Sequence, residues 1–378
     1  RDAALVIIGR TAGEDQDTKA EPGSYLLTDK EKAMIRTVSR HFARTAVLLN
    51  VGNIIDMKWV EDCAPSAVLY VWQGGMEGGN GVADVLTGRV SPCGKLSDTI
   101  AASIEDYPSA AGFGDPYENI YAEDIYVGYR YFETAARDKV LYPFGFGLSY
   151  TEFAVTTEGF REEGEDILLQ VRVKNTGDLA GKEVVQVYAN PPQGRLGKPL
   201  RSLAAFRKTE VLQPDGEEIL SFRISKKELA SYDDSGVTGH KSCYVLEEGS
   251  YGFYVGTDVR SASFAGAFVQ ETLTVTERLE EALAPVTPFC RMKPVGEGDS
   301  FCMQKEAAPL RSVDLVQRIL ENRPASPVCT GDRGILLGDV YDGRADMEDF
   351  LAQLTDEDLA CIVRGEGMCS PKVTPGTA

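Results

Sequence analysis

Histidine and tryptophan are scarce in this 378-residue sequence, with two of each, and the scarcity removes some chemistry at once. The histidines are His41, inside a helix-like stretch, and His240, so a Ser-His-Asp or Cys-His device has poor material. No apolar run approaches the ~20 residues of a membrane-spanning helix, and nothing at the start reads as a signal peptide. A membrane partner is therefore not expected. The eight cysteines include no C-x-x-C pair and lie far apart. That usage points to reduced, mostly buried thiols in a cytoplasmic or otherwise reducing setting, and away from a disulfide framework or a zinc site. Basic residues number 39 against 58 acidic ones, and the net charge of −19 would repel nucleic-acid phosphates rather than neutralise them. A nucleotide loop is missing as well. "GRTAGE" lacks the G-x-G-x-x-G spacing and puts acid where a pyrophosphate would lie, while "QGGMEGGNG" carries Glu77 and no Walker lysine. No metal or other cofactor is expected.

What is present is an ordinary globular composition, 43% hydrophobic and 26% charged, at a length that favours two domains with connecting segments. Arg1 leads straight into a strand-like run, which reads as part of a longer protein. From Ala3 to about Ile100, apolar runs such as "ALVIIG", "AVLLNVG" and "AVLYVW" alternate with amphipathic stretches, the pattern of a mainly parallel sheet flanked by helices, and residues 1–150 are read as that α/β domain. In "TDKEKAMIRTVSRHFA", Thr28 and Glu31 form a capping box, and Met34, Ile35, Val38 and Phe42 form one apolar stripe. The glycines before "VADVLTG" read as a tight turn into a helix that closes near Gly88.

From residue 151 to 275 the period changes to two. Ile167, Leu169, Val171 and Val173 alternate with polar neighbours, and "EVVQVYA", "EILSFRIS" and "YGFYVGTD" repeat the signal, which predicts an all-β sandwich of immunoglobulin or fibronectin type III kind. Residues 276–343 read as a connector containing one helix, "SVDLVQRILENR". Residues 344–378 turn helical again, with a second capping box from Thr355 to Asp358 and a stop at Gly365 and Gly367.

Acid gathers at one place suited to chemistry. The first strand ends at Gly9 and empties into "RTAGEDQDTK", at the carboxyl end of a strand, where open α/β sheets hold their ligands. Glu14, presented by Gly13, is a candidate proton donor, because desolvation can raise a carboxyl pKa toward neutrality. A solvated acidic turn gives the same pattern, and glycoside hydrolysis needs a second carboxyl group that this loop alone does not provide.

Six blocks in fixed order make the pattern specific: "VIIGRTAGED", "YLLTDKEKAMI", "LLNVGNIIDM", "VWQGGMEGGNGVADVLTGRVSPCGKL", "EDIYVGYRYFET" and "PFGFGLSYTEF". Together they resemble the α/β-sandwich domain of glycoside hydrolase family 3, β-glucosidase type. "VRVKNTGDLAGKEVVQVY" similarly resembles that family's fibronectin type III-like domain, and "FLAQLTDEDLACIVRGEGM" the opening of its (β/α)8 barrel. The resemblance implies a permuted order in which the α/β-sandwich and fibronectin domains precede the barrel. It also implies that the front of the sandwich and most of the barrel fall outside these residues. It puts Glu14 on the general acid/base of the motif S/A-G-E-G-x-D-R and Asp17 on the motif's aspartate, a substrate-binding position, whereas Asp15 and Thr18 depart from its glycine and arginine. It implies a retaining, exo-acting β-glucosidase whose nucleophile is a barrel aspartate, so that the chain alone would be inactive. Partners would be small β-glucosides or oligosaccharides and the barrel of the same protein, with a homo-oligomer allowed. A β-xylosidase or broad-specificity exo-glycosidase, or a non-catalytic carbohydrate-binding or cell-surface scaffold, would share these features. Within "EDIYVGYRYFET", Tyr126, Tyr129, Tyr131 and Phe132 are expected to pack between domains, and Trp72 to belong to the core.

Overall fold

The computed structural model describes residues 2–11, 18–298, 300–325 and 328–364. They divide into two units, residues 1–312 and 313–378.

The first unit opens with strand β1 (Ala3–Gly9), helix α1 (Asp29–His41), strand β2 (Arg44–Asn50), helix α2 (Trp59–Cys63), strand β3 (Ala67–Tyr70) and helix α3 (Gly78–Leu86). The three strands form a parallel sheet ordered β1-β2-β3, with Val6 beside Val47 and Val47 beside Val68. Thr28 caps α1 as its spacing predicts: its hydroxyl accepts from the Glu31 N–H at 3.2 Å, and the Glu31 carboxylate accepts from the Thr28 N–H at 2.8 Å. Ile35 is fully buried, and it joins Val6, Ile8, Val47, Leu49 and Trp59 in the core beneath the sheet. Met34 is exposed instead of joining the stripe, because successive helix positions are ~100° apart and the core face is centred on Ile35 and Val38. Helix α3 begins within the glycines, earlier than "VADVLTG". A Cβ on Gly74 would stand 2.9 Å from the Gly78 Cα, so the turn closes only without one.

The unit continues through β4 (Ile100–Ala101), helix α4 (Tyr129–Ala135) and β5 (Val140–Tyr142), with β4 and β5 antiparallel. Next come β6 (Phe153–Glu163), β7 (Asp166–Asn175), β8 (Val184–Asn190), β9 (Ser202–Lys208), β10 (Glu217–Ser225), β11 (Ser231–Asp233), β12 (Cys243–Leu246), β13 (Gly249–Gly256), β14 (Ser263–Gln270) and β15 (Thr274–Arg278). Sheet β10-β7-β6 faces sheet β14-β13-β8-β9, while β11, β12 and β15 form a smaller one. Ile167, Leu169, Val171 and Val173 all point into the sandwich core beside Leu220 of β10, with Val185, Val187 and Phe253 of the other sheet opposite, as alternation predicts.

Strand β8 breaks the alternation: Val185 through Ala189 are all buried. Its outer face lies under the α/β part. Tyr129 of α4 stacks on Phe144 at 4.5 Å and meets Tyr188 edge-on at 6.1 Å, while its hydroxyl accepts from the Leu203 N–H at 2.9 Å. Glu133, 3% exposed, accepts from Arg260 Nε at 2.9 Å. Gly145 sits at φ +83°, where an added Cβ would lie 2.3 Å from Gln186 Oε1. The motifs "EDIYVGYRYFET" and "PFGFG" thus serve the seam between the two parts. Phe132 and Tyr126 are buried, and Tyr129 and Tyr131 partly so.

The segment read as a connector holds more structure than its composition announces. Strands β16 (Cys290–Glu297) and β17 (Ser300–Ala307) pair antiparallel, and the Met292 N–H donates to the Ala122 carbonyl at 2.7 Å. The expectation of mostly buried thiols needs correction. Cys63 and Cys243 are buried, Cys93 and Cys361 half-buried, and Cys290, Cys302 and Cys329 exposed. Cys290 and Cys302 ride on that ribbon, and the side chains of both are left in water. Cys369 lies outside the described residues.

The second unit carries helices α5 (Leu315–Glu321), α6 (Leu337–Tyr341), α7 (Met347–Ala352) and α8 (Asp356–Arg364). Asp314 caps α5 by accepting from the Val316 and Gln317 N–H groups at 2.9 and 3.0 Å. The second capping box forms too, the Thr355 hydroxyl accepting from the Asp358 N–H at 3.2 Å. Gly365 and Gly367 lie outside the described residues.

Candidate active site

A cleft of about 750 Å3 opens at the carboxyl ends of β1 and β2. Its walls come from Gly9, Arg10 and Thr11 after β1, Thr18 and Lys19 where the chain is next described, and Gly52 to Ile55 after β2. Parallel strands leave their carbonyl ends and connecting loops at one edge of the sheet, which is why a ligand site forms there.

Arg10 organises the rim. The chain leaves β1 at Gly9, and Arg10 turns back so that its guanidinium donates to both Glu31 carboxylate oxygens, at 2.7 and 3.0 Å. It also donates to the Ser24 carbonyl at 3.1 Å and the Gly9 carbonyl at 2.8 Å. One side chain therefore ties the residue that enters the acidic loop to the segment that follows it and to the N-terminus of α1. Burial acts to raise the Glu31 pKa, but the bonds from Arg10 and Thr28 outweigh it and hold the carboxyl below the usual glutamate range.

The opposite rim is braced from β3. The Tyr70 hydroxyl donates to the Asn53 carbonyl at 2.9 Å and accepts from the Ile55 N–H at 3.1 Å. Burial, the largest cause, pushes that phenol's pKa above its ordinary value. Asn53 reaches over the cleft and donates from Nδ2 to Thr18 Oγ1 at 2.6 Å. Trp72, expected in the core, is only half-buried. It follows β3 in a left-handed conformation, φ +60°, with its ring 4.4 Å from that of Tyr70. A left-handed Trp is unusual because its Cβ crowds the backbone.

Glu14 and Asp17 lie outside the described residues, so the structure gives the flanks of their loop and not the loop itself. Glu77, on the second glycine-rich segment, is exposed next to α3 and receives a bond from Asn80. Sequence reasoning did not single out Arg10 or Asn53. An arginine after a strand carries no pattern of its own, and the role of Glu31 in the capping box concealed its second partner.

Residues 1–150 match the Glycosyl hydrolase family 3 C-terminal domain, and residues 183–259 match the Fibronectin type III-like domain. A curated β-glucosidase of Ruminococcus albus is 55% identical over 377 residues, which is 100% of this chain and 39% of that protein. The solved structure of a β-glucosidase from Paenibacillus barengoltzii superposes with a TM-score of 0.95 at 52% identity, covering 100% of this chain and 42% of its own. β-Glucosidase 3B from Thermotoga neapolitana, solved in complex with α-D-glucose, gives 0.68 at 39% identity over 73% of this chain and 38% of its own. The chain thus spans about two fifths of the length of these relatives. With its parallel sheet, its carboxyl-edge cleft and its seven-stranded sandwich in this order, the chain belongs to glycoside hydrolase family 3.

Proposed function

We propose that this chain is the part of a retaining, exo-acting β-glucosidase that supplies the general acid/base, Glu14, from the loop that leaves β1. The observation that carries the reading is the clamped cleft. Arg10 fastens the entry of that loop to the N-terminus of α1 and to the Ser24 carbonyl, and the residues that flank the loop in sequence, Thr11 and Thr18, line the cleft. The names of the relatives, β-glucosidases at 55% and 52% identity, support the choice of sugar. In this mechanism an aspartate on a (β/α)8 barrel outside residues 1–378 attacks the anomeric carbon and forms a glycosyl-enzyme. Glu14 donates its proton to the departing glycosidic oxygen, then takes one from the incoming water. Asp17 binds the sugar beside it. Two relatives cover the whole chain, helical tail included, while the Thermotoga enzyme covers 73% of it. That difference supports an order in which the barrel follows the fibronectin domain.

The test compares Glu14→Ala with wild type in the intact parent protein, on an aryl β-glucoside with a good leaving group, with and without azide. The expected result is a loss of turnover of about 100-fold or more, restored by azide with β-glucosyl azide as product. Near-normal turnover by the variant would remove Glu14 from the mechanism. A panel of aryl β-glycosides separates the readings of the sugar, since a β-xylosidase or a broad exo-glycosidase would not favour glucoside.

A further inference from the structure

A second hollow, of about 450 Å3, shares no lining residue with the cleft at β1 and β2, and the acid/base reading makes no use of it. It is lined from β11 and β12, from the connection between β8 and β9, from residues 124–130 and from the β16–β17 ribbon. Its wall is built around Tyr232 and Tyr244, which face each other across the β11–β12 ladder with ring centroids 5.2 Å apart. Each keeps 38% of its surface exposed. Deeper in, Tyr126 is 2% exposed, and its hydroxyl has no hydrogen-bond partner among the described residues. A buried hydroxyl left without a partner is costly, so a polar group of a ligand that reached it would be held there.

The charges narrow the chemistry. Four basic and four acidic side chains line the hollow. Arg291 is held by Asp124 at 3.1 Å and by Asp234 and Glu306, and Lys293 by Glu306 at 2.6 Å. Three of the four cations are committed to carboxylates, Arg291 and Lys293 as above and Lys198 to Glu247, and so draw an anionic ligand weakly, while carboxylates held in place can still accept from hydroxyl groups. An apolar ring face bordered by fixed acceptors suits a neutral, polyhydroxylated ring: aromatic planes cover its C–H face, and planar polar groups take its hydroxyls.

We propose that this hollow is a second, non-catalytic carbohydrate site, which takes a neutral pyranoside against Tyr232 and Tyr244 with hydroxyls directed at Tyr126, Asp124 and Asp234. It retains sugar chains near the enzyme without acting on them. The proposal does not depend on Glu14.

Saturation-transfer NMR on the intact parent protein tests it, with methyl β-D-glucopyranoside and cellobiose as probes and the catalytic site filled by a tight-binding iminosugar. The expected result is transfer to the pyranose ring protons that survives the block and falls about fivefold or more in Tyr232→Ala/Tyr244→Ala. Tyr126→Phe, which removes only the hydroxyl, should weaken the same signal with about a five- to tenfold rise in Kd. Unchanged kcat on an aryl glycoside shows that each variant is folded. If the block removes all transfer, or both variants transfer as wild type does, the site does not exist. A double variant that loses kcat leaves Tyr126→Phe to decide.

Discussion

Replacing Arg10 with methionine keeps most of the apolar stem and deletes the guanidinium, so it isolates the clamp. The bonds lost are the pair to Glu31 at 2.7 and 3.0 Å and those to Ser24 and Gly9 at 3.1 and 2.8 Å. Each charge-assisted bond contributes ~1.5–3 kcal/mol, and removing one partner of a fully buried pair costs ~3–5 kcal/mol. Here the side chains are 12% and 22% exposed, and Glu31 keeps the Thr28 N–H at 2.8 Å and its hydroxyl at 2.9 Å. The carboxylate is therefore not orphaned, and the expected loss is about 2–3 kcal/mol. Urea unfolding followed by tryptophan fluorescence reads it, because both tryptophans, Trp59 and Trp72, lie in the α/β part. The pH dependence carries a second signature. The Glu31 pKa is lowered in the folded state, so its contribution is fully present above the ordinary glutamate range and is lost as the pH falls below it. Arg10→Met should flatten that acid limb. In a double-mutant cycle with Glu31→Gln, additivity within ~0.5 kcal/mol would refute the clamp.

Three further outcomes follow from the same structure. Gly145→Ala forces a Cβ into a left-handed position 2.3 Å from Gln186 Oε1 and should cost about 2–4 kcal/mol in thermal or chemical unfolding. Lys198→Met leaves the Glu247 carboxylate buried with only backbone donors from Arg195 and Leu196. The pair is 2% and 5% exposed, so the loss should be about 3–5 kcal/mol, and a variant within ~1 kcal/mol of wild type would contradict it. Hydrogen bonds from Lys241, then from Ser312, hold the Glu281 carboxyl down to about 2. Its stabilisation should persist through mild acid and disappear only as the pH drops from the glutamate range toward 2, a limb that Glu281→Gln should remove in an acid titration.

The elements that could be read from sequence are those in which a period meets a single buried face. Strand β7 shows it: four apolar residues at alternate positions, and all four in the core. Capping boxes were legible for a related reason, since Thr28–Glu31 and Thr355–Asp358 are local and need no third partner. The β16–β17 ribbon was not legible, because its pairs, such as Met292 with Lys305, place few side chains in a core and leave no period. Neither was Trp72, whose position is set by backbone geometry at the sheet edge and not by its hydrophobicity. In the candidate site, the motif points to the acidic loop, whereas the clamp at Arg10, before that loop, joins residues 21 positions apart and exists only in three dimensions.

Strand β8 has no wet side. A boundary drawn after residue 150 looks like a clean place to divide the chain, yet the outer side chains of β8, Gln186 and Tyr188, belong to the neighbour as much as to the sandwich. Either half, expressed alone, would present that strand's missing cover as a sticky surface. Homologous exchange of the fibronectin domain between relatives should therefore succeed only when α4 and the "PFGFG" turn travel with it.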